Sequence, residues 1–325
     1  MKSILAFIIF LLPLAGISQT FKYNITFEGI GDNREYFSGK ANSQTILGSR
    51  GAFEAGVKID QHQLMAGLNH LLEFGSELDH HKPNLTLYYR FTDEQKDFLF
   101  GAFPRLNRIN FPLAMLTDTL QYYRPNIEGL FGEVRWDWGF QNAFVDWVSR
   151  QTDIKRENFM AGASGEINYR NAFLENYLLL FHDAGPGIDL PGDNIKDYMG
   201  FSLMAGIRTS DPTDFIGSIK AGILNSSYRE RNVTEGFINS SSLIAEANGR
   251  WKNYGITSTL HSGAGHRFAY GDLFYRLDNY WRTDVIWYFI NHKNISGKFN
   301  LSFHVIDWAD LDQQQQLSIV YRFSN

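Results

Sequence analysis

Residues 313–325 read QQQQLSIVYRFSN. Leu317, Ile319, Tyr321 and Phe323 share one parity, and Ser318, Val320, Arg322 and Ser324 share the other. A period of two places each set on its own face of a β-strand, one apolar and ending in two aromatics, the other mostly polar. The alternation recurs far upstream. Phe21, Tyr23, Ile25 and Phe27 oppose Lys22, Asn24, Thr26 and Glu28; Phe299, Leu301, Phe303 and Val305 oppose Lys298, Asn300, Ser302 and His304. Many such stretches behind an export signal are the sequence form of a transmembrane β-barrel.

The export signal is expected in residues 1–18. Lys2 starts it, Ile4 to Ala15 form an apolar stretch too short to cross a bilayer as a helix, and Gly16-Ile17-Ser18 supply the cleavage region. The barrel is then expected over residues 19–325. No later stretch approaches the ~20 apolar residues of a membrane helix. Aromatics make up 15% of the chain, with 29 glycines and seven tryptophans, a composition that suits barrel strands with interfacial girdles. The absence of cysteine removes thiol catalysis, thiolate metal sites and disulfides. A net charge of −5 gives no case for nucleic acid.

Reading the alternation along the chain gives about sixteen strands joined by fifteen connections, the odd-numbered ones long and the even-numbered ones short. That is the rule for an all-β, antiparallel up-and-down barrel with short periplasmic turns, long extracellular loops and both termini in the periplasm. The physical reason is that backbone polar groups in hydrocarbon must all be paired, which only helices and closed sheets achieve. Trp136, Tyr169, Trp251 and Tyr321 recur towards the short-turn ends of their apolar faces. The expected location is the cell outer membrane.

On this topology the chain resembles a Gram-negative outer-membrane porin of sixteen strands. The resemblance covers the whole mature chain and includes a long third loop, 104–126, and an aromatic residue near the C-terminus, here Phe323. It departs at the end, where Ser324 and Asn325 follow that aromatic. The resemblance implies a third loop folded into the lumen as a constriction. On their own terms, Pro112–Tyr123 can form a short helix with Leu113, Leu116 and Leu120 on one side, a stripe with little use in a bare surface loop. Arg105, Arg108 and Arg124 outnumber Asp118, and Tyr122 and Tyr123 adjoin them; these six are the expected constriction residues. Arg90, Glu133, Arg135, Asp146, Arg150, Glu166 and Arg170 fall on the polar parity and are expected on the lumen wall. Charges in such number could not be buried dry, so the lumen is expected to hold water.

The function this implies is passive diffusion of small hydrophilic solutes, with a mild preference for anions set by the third-loop arginines. No enzymatic activity, no metal and no cofactor are expected. Expected partners are outer-membrane lipid and lipopolysaccharide, the solutes, the barrel-assembly machinery through the C-terminal strand, and further copies of the chain in a homotrimer. Two alternatives stand beside it. One is a barrel serving an export, secretion or adhesion assembly. The other is a lipid-modifying barrel enzyme, for which His261-Ser262-Gly263 is the candidate. Lipolytic barrels place that pair as H-x-S-N on one face, whereas adjacent residues in a strand face opposite sides. Asp79-His80-His81 could chelate a cation, but adjacent histidines diverge and a third ligand is not evident.

Overall fold

The computed structural model describes residues 19–77, 82–188, 192–209 and 215–325. The expected export signal and the Asp79-His80-His81 candidate lie outside the described residues. The first half of the chain forms β1 (Gln19–Glu35), β2 (Gln44–Ile59), β3 (His62–Glu73), β4 (Asn84–Thr92), β5 (Lys96–Pro104), β6 (Asn126–Trp136), β7 (Gly139–Ser149) and β8 (Asn158–Tyr169). The second half adds β9 (Ala172–Asp183), β10 (Lys196–Arg208), β11 (Phe215–Glu230), β12 (Ile238–Trp251), β13 (Tyr254–Gly263), β14 (Asn279–His292), β15 (Ile295–Ile306) and β16 (Asp310–Ser324). Each strand pairs with its sequence neighbours, and β1 closes the ring on β16 through a register running from Asn24–Ser324 to Glu35–Gln313. Every pairing is antiparallel. The result is a sixteen-stranded outer-membrane barrel.

The parity predicted from sequence decides which side chains meet lipid. Leu64, Leu85, Ile219 and Leu243 point outward and keep half or more of their surface exposed. A soluble sheet would bury such residues; here hydrocarbon covers them. The turns 60–61, 170–171, 252–253 and 293–294 take two residues each, and their first residues (Asp60, Arg170, Lys252, Lys293) have positive φ. That backbone hand matches the twist of the strands it joins.

Two sequence expectations need correction. The fifteenth connection is short, 307–309, because β16 already begins at Asp310 and Asp307 and Trp308 both take left-handed φ to close a tight turn. The inward parity is also not polar throughout. Leu99, Phe103, Ile127, Phe131, Phe144, Met160, Leu179, Phe181, Met204 and Leu224 point into the barrel and are buried there. They form a hydrophobic core inside the barrel, and the residues that complete it come from two loops.

Candidate functional site

The connection between β5 and β6 (105–125) enters the lumen. Phe111, Ala114, Met115, Leu116 and Leu120 are buried in the lumenal core. Only Leu120–Tyr123 forms a helix, α1, a single turn; the rest of the expected helix is a chain of turns after Pro112. Leu116 and Leu120 nonetheless share the same buried side, with Leu113 packed against it. The connection between β13 and β14 (264–278) enters from the opposite wall with Phe268, Phe274 and Tyr275. The two loops are tied by backbone hydrogen bonds, Thr117 N–H to the Tyr270 carbonyl at 2.7 Å and Asp272 N–H to the Leu113 carbonyl at 2.9 Å. They touch so closely at Gly271 that a Cβ there would lie 2.2 Å from the Ala114 carbonyl oxygen. Together they form a plug over the outer half of the lumen.

Charged groups pin the plug to the wall. Arg105 is 3% exposed; it pairs with Asp146 and donates to the Arg124 and Asn126 carbonyls at 3.0 and 3.1 Å. Burial presses its guanidinium below the ordinary value, and Asp146 opposes that. Arg108 reaches Asp97 at 2.6 Å, and Arg124 lies 3.8 Å from Asp146 while donating to the Val148 carbonyl. Asp118 meets Arg34 at 3.3 Å and accepts from Gln316 at 2.9 Å. Burial raises its carboxyl, yet Arg282 and Arg34 hold it below the usual range. Tyr122 stands 3.5 Å from Gln316, and the Tyr123 hydroxyl donates to Glu73 at 3.2 Å. Burial beside Glu73 pushes the Tyr123 phenol up to about 12. All six expected constriction residues thus lie on the plug, and its three arginines face wall carboxylates.

Of the expected wall residues, Arg90 (2.7 Å from Asp97), Glu133 paired with Arg135, Asp146, and Glu166 (2.7 Å from Arg208) point inward. Arg150 and Arg170 do not belong to strands; Arg150 follows β7 and Arg170 sits in the β8–β9 turn over the Tyr169 ring. Asp97, the shared partner of Arg90 and Arg108, escaped the sequence reading because it is the second residue of β5, beside the turn and ahead of the alternating stretch.

Histidines cluster under the β13–β14 loop. His266 is held between Ser226 (2.8 Å) and Ser242 (2.7 Å), with the His261 ring 5.3 Å away. Burial, then His261, presses the His266 imidazole down to about 4. His261 points inward with neither ring nitrogen hydrogen-bonded among the described residues, whereas Ser262 points outward and donates to Asn279 at 2.9 Å. The candidate pair therefore stands on opposite faces of β13.

One titratable pair faces lipid at the outer rim. His182, the last outward residue of β9, meets Asp197, the first outward residue of β10, with Nδ1 2.7 Å from the carboxylate. A carboxylate only accepts, so Nδ1 is the donor, and in the neutral imidazole Nε2 carries the lone pair. Arg231 stands 3.3 Å from Asp197. The Phe159 ring lies 5.3 Å from that of His182 and stacks on Trp147, marking the aromatic level of the interface. Among the described residues no serine is hydrogen-bonded to His182. No metal-holding cluster occurs among the described residues.

Comparison with known proteins gives two results. A family model described as lipid A 3′-O-deacylase-type matches residues 18–324. A deacylase is an enzyme, so this match overturns the expectation of a chain without catalytic activity. Among solved structures, the outer membrane protein OpdK of Pseudomonas aeruginosa is 11% identical with a TM-score of 0.54, over 94% of this chain and 99% of that one. A loop-deletion mutant of OmpT from Vibrio cholerae is 10% identical with a TM-score of 0.59, over 94% and 100%. OccK2 (OpdF) of P. aeruginosa is 11% identical with a TM-score of 0.55, again over 94% and 100%. These establish the likeness of fold. No curated protein matches the chain.

Proposed function

The chain belongs to the lipid A 3′-O-deacylase-type family, and on that premise we propose that it hydrolyses an ester-linked acyl chain of lipid A in the outer leaflet. The observation that carries this reading is the His182–Asp197 pair, which faces lipid at the level of the interfacial aromatics. His182 Nε2 takes a proton from water, and the water oxygen attacks the ester carbonyl. As the tetrahedral intermediate collapses, the sugar oxygen leaves and receives that proton from His182, giving a free fatty acid and a sugar hydroxyl. Asp197 holds the imidazole in the tautomer that leaves Nε2 basic and steadies it while it is charged. Arg231, beside Asp197, and Arg156, beside Asp183, supply guanidinium groups that would receive the lipid A phosphates in this reading.

The test is mass spectrometry of lipid A after incubating the folded protein with lipopolysaccharide in vesicles. Wild type releases an acyl chain, and His182→Ala lowers the rate by about 10²-fold or more, the usual size of a general-base contribution. Undiminished release by His182→Ala, or fully acylated lipid A after incubation with wild type, would sink the reading.

A second reading, diffusion of small hydrophilic solutes with a preference for anions, is favoured by the inner half of the lumen. Cavities of about 470, 250 and 720 Å³ lie beneath the plug; Asn107 and Arg108 line the first two, and Asn110, Glu166 and Glu175 line the last two. In this reading the plug moves to open the outer half. Planar-bilayer conductance tests it: an open current whose anion preference falls on combined Ala substitution of Arg105, Arg108 and Arg124 supports passage. A silent bilayer removes it.

A further inference from the structure

The 470 Å³ cavity beneath the plug has the size of a small-molecule site. Its walls come from inward residues of β1 to β5 and β16, and its roof is the third loop, including Arg105, Arg108 and Tyr122. Six basic side chains line it against two carboxylates, Glu28 and Glu54. Elsewhere in the lumen, Asp146 and Asp97 engage Arg105, Arg108 and Arg90, and Arg50 is 3.2 Å from Glu28. Lys22 and Arg322 are left without an ion-pair partner among the described residues. They stand at the periplasmic mouth on adjacent strands, both on the inward parity.

The lining also contains buried polar side chains with hydrogen-bonding capacity to spare. Among the described residues, Arg50 Nε, Glu54 Oε1, Asn69 Oδ1 and Arg105 Nη1 have no hydrogen-bond partner, and all four side chains are more than nine-tenths buried. Charged groups in that state are costly and recur where a ligand completes the set. Two of the four atoms accept hydrogen bonds and two donate. A simple anion answers the donors only.

We propose that this cavity is a periplasm-facing binding site for a small hydroxylated organic anion. Its carboxylate is drawn by Lys22, Arg322 and the Arg50 guanidinium, and its hydroxyls donate to Glu54 and Asn69. The site is separate from the lipid-facing rim and holds whether or not the rim pair is catalytic.

Isothermal titration calorimetry on the full folded chain in detergent tests this, with three probes. Gluconate carries the carboxylate and the hydroxyls, propionate the carboxylate alone, and glucitol the hydroxyls alone. Gluconate is expected to bind at least tenfold more tightly than either of the others. The double variant Lys22→Ala/Arg322→Ala, at the solvated mouth, weakens gluconate tenfold or more with the barrel intact by its heat-modifiable gel mobility. Glu54→Gln weakens gluconate and leaves propionate unchanged. Equal affinity for the three probes, no heat of binding for gluconate, or unaltered gluconate binding by the mouth variant overturns the site.

Discussion

At the scale of single residues, Arg105 and Asp146 form the most deeply buried ion pair of the plug. Each is the main charge that answers the other away from water, with Arg124 3.8 Å from the same carboxylate. Arg105→Ala leaves Asp146 charged and short of donors, a change that costs about 3–5 kcal/mol. Urea-dependent unfolding from vesicles is expected to show a loss of that order, and Arg105→Ala/Asp146→Asn a smaller one. His266 gives a pH test. With its proton affinity pressed down to about 4 in the closed plug, it stays neutral while a released loop would titrate near 6.5. The closed form has its full advantage above pH 6.5 and loses it as pH falls towards 4, because only the released form takes up the proton. Protease cleavage within 264–278 is therefore expected to accelerate on acidification across that window, and His266→Gln to flatten the response.

At the scale of elements, the strands were legible and the plug was only half so. Each strand has two different surroundings, and a period of two in residues such as Leu317 to Phe323 records that difference directly. The lumenal core has no period. Phe103, Phe131 and Met160 are buried by Met115 and Phe268, which are distant in sequence and carried on loops, so nothing local marks them as inward apolar positions. The third loop was readable because Leu113, Leu116 and Leu120 demand cover; nothing in the sequence singled out its partner loop, with Phe268, Phe274 and Tyr275. The rim pair left one local trace: His182 ends the outward row Leu174, Leu178, Leu180 as its only titratable member. Its partner lies across a long connection, where sequence spacing carries no geometry. The contact between the loops predicts that Gly271→Ala, whose new methyl meets the Ala114 carbonyl, parts the plug and raises single-channel conductance. Gly236→Ala, with nothing within 4 Å, is the matched control.

At the scale of the whole molecule, lipid is a structural partner. Ile223 and Leu243 face each other on the outer surface of β11 and β12, midway along both strands. Ile223→Arg is expected to cost about 2–4 kcal/mol, the penalty for a cation near the bilayer midplane, read as a shift in the urea midpoint of folding into vesicles. In detergent micelles, which let the side chain reach water, the shift shrinks.

The ring is sealed by residues at the two ends of the chain, with Asn24 beside Ser324. Contacts of such separation are the slowest kind to form. Every strand between them can pair with a neighbour as soon as that neighbour arrives, but the seam must wait for the final strand. A chain released before β16 is made would carry two bare margins, β1 and β15, each able to recruit a foreign strand. Assembly is thus an all-or-none event in time, and unfinished copies are marked for capture by the very edges that a finished copy conceals.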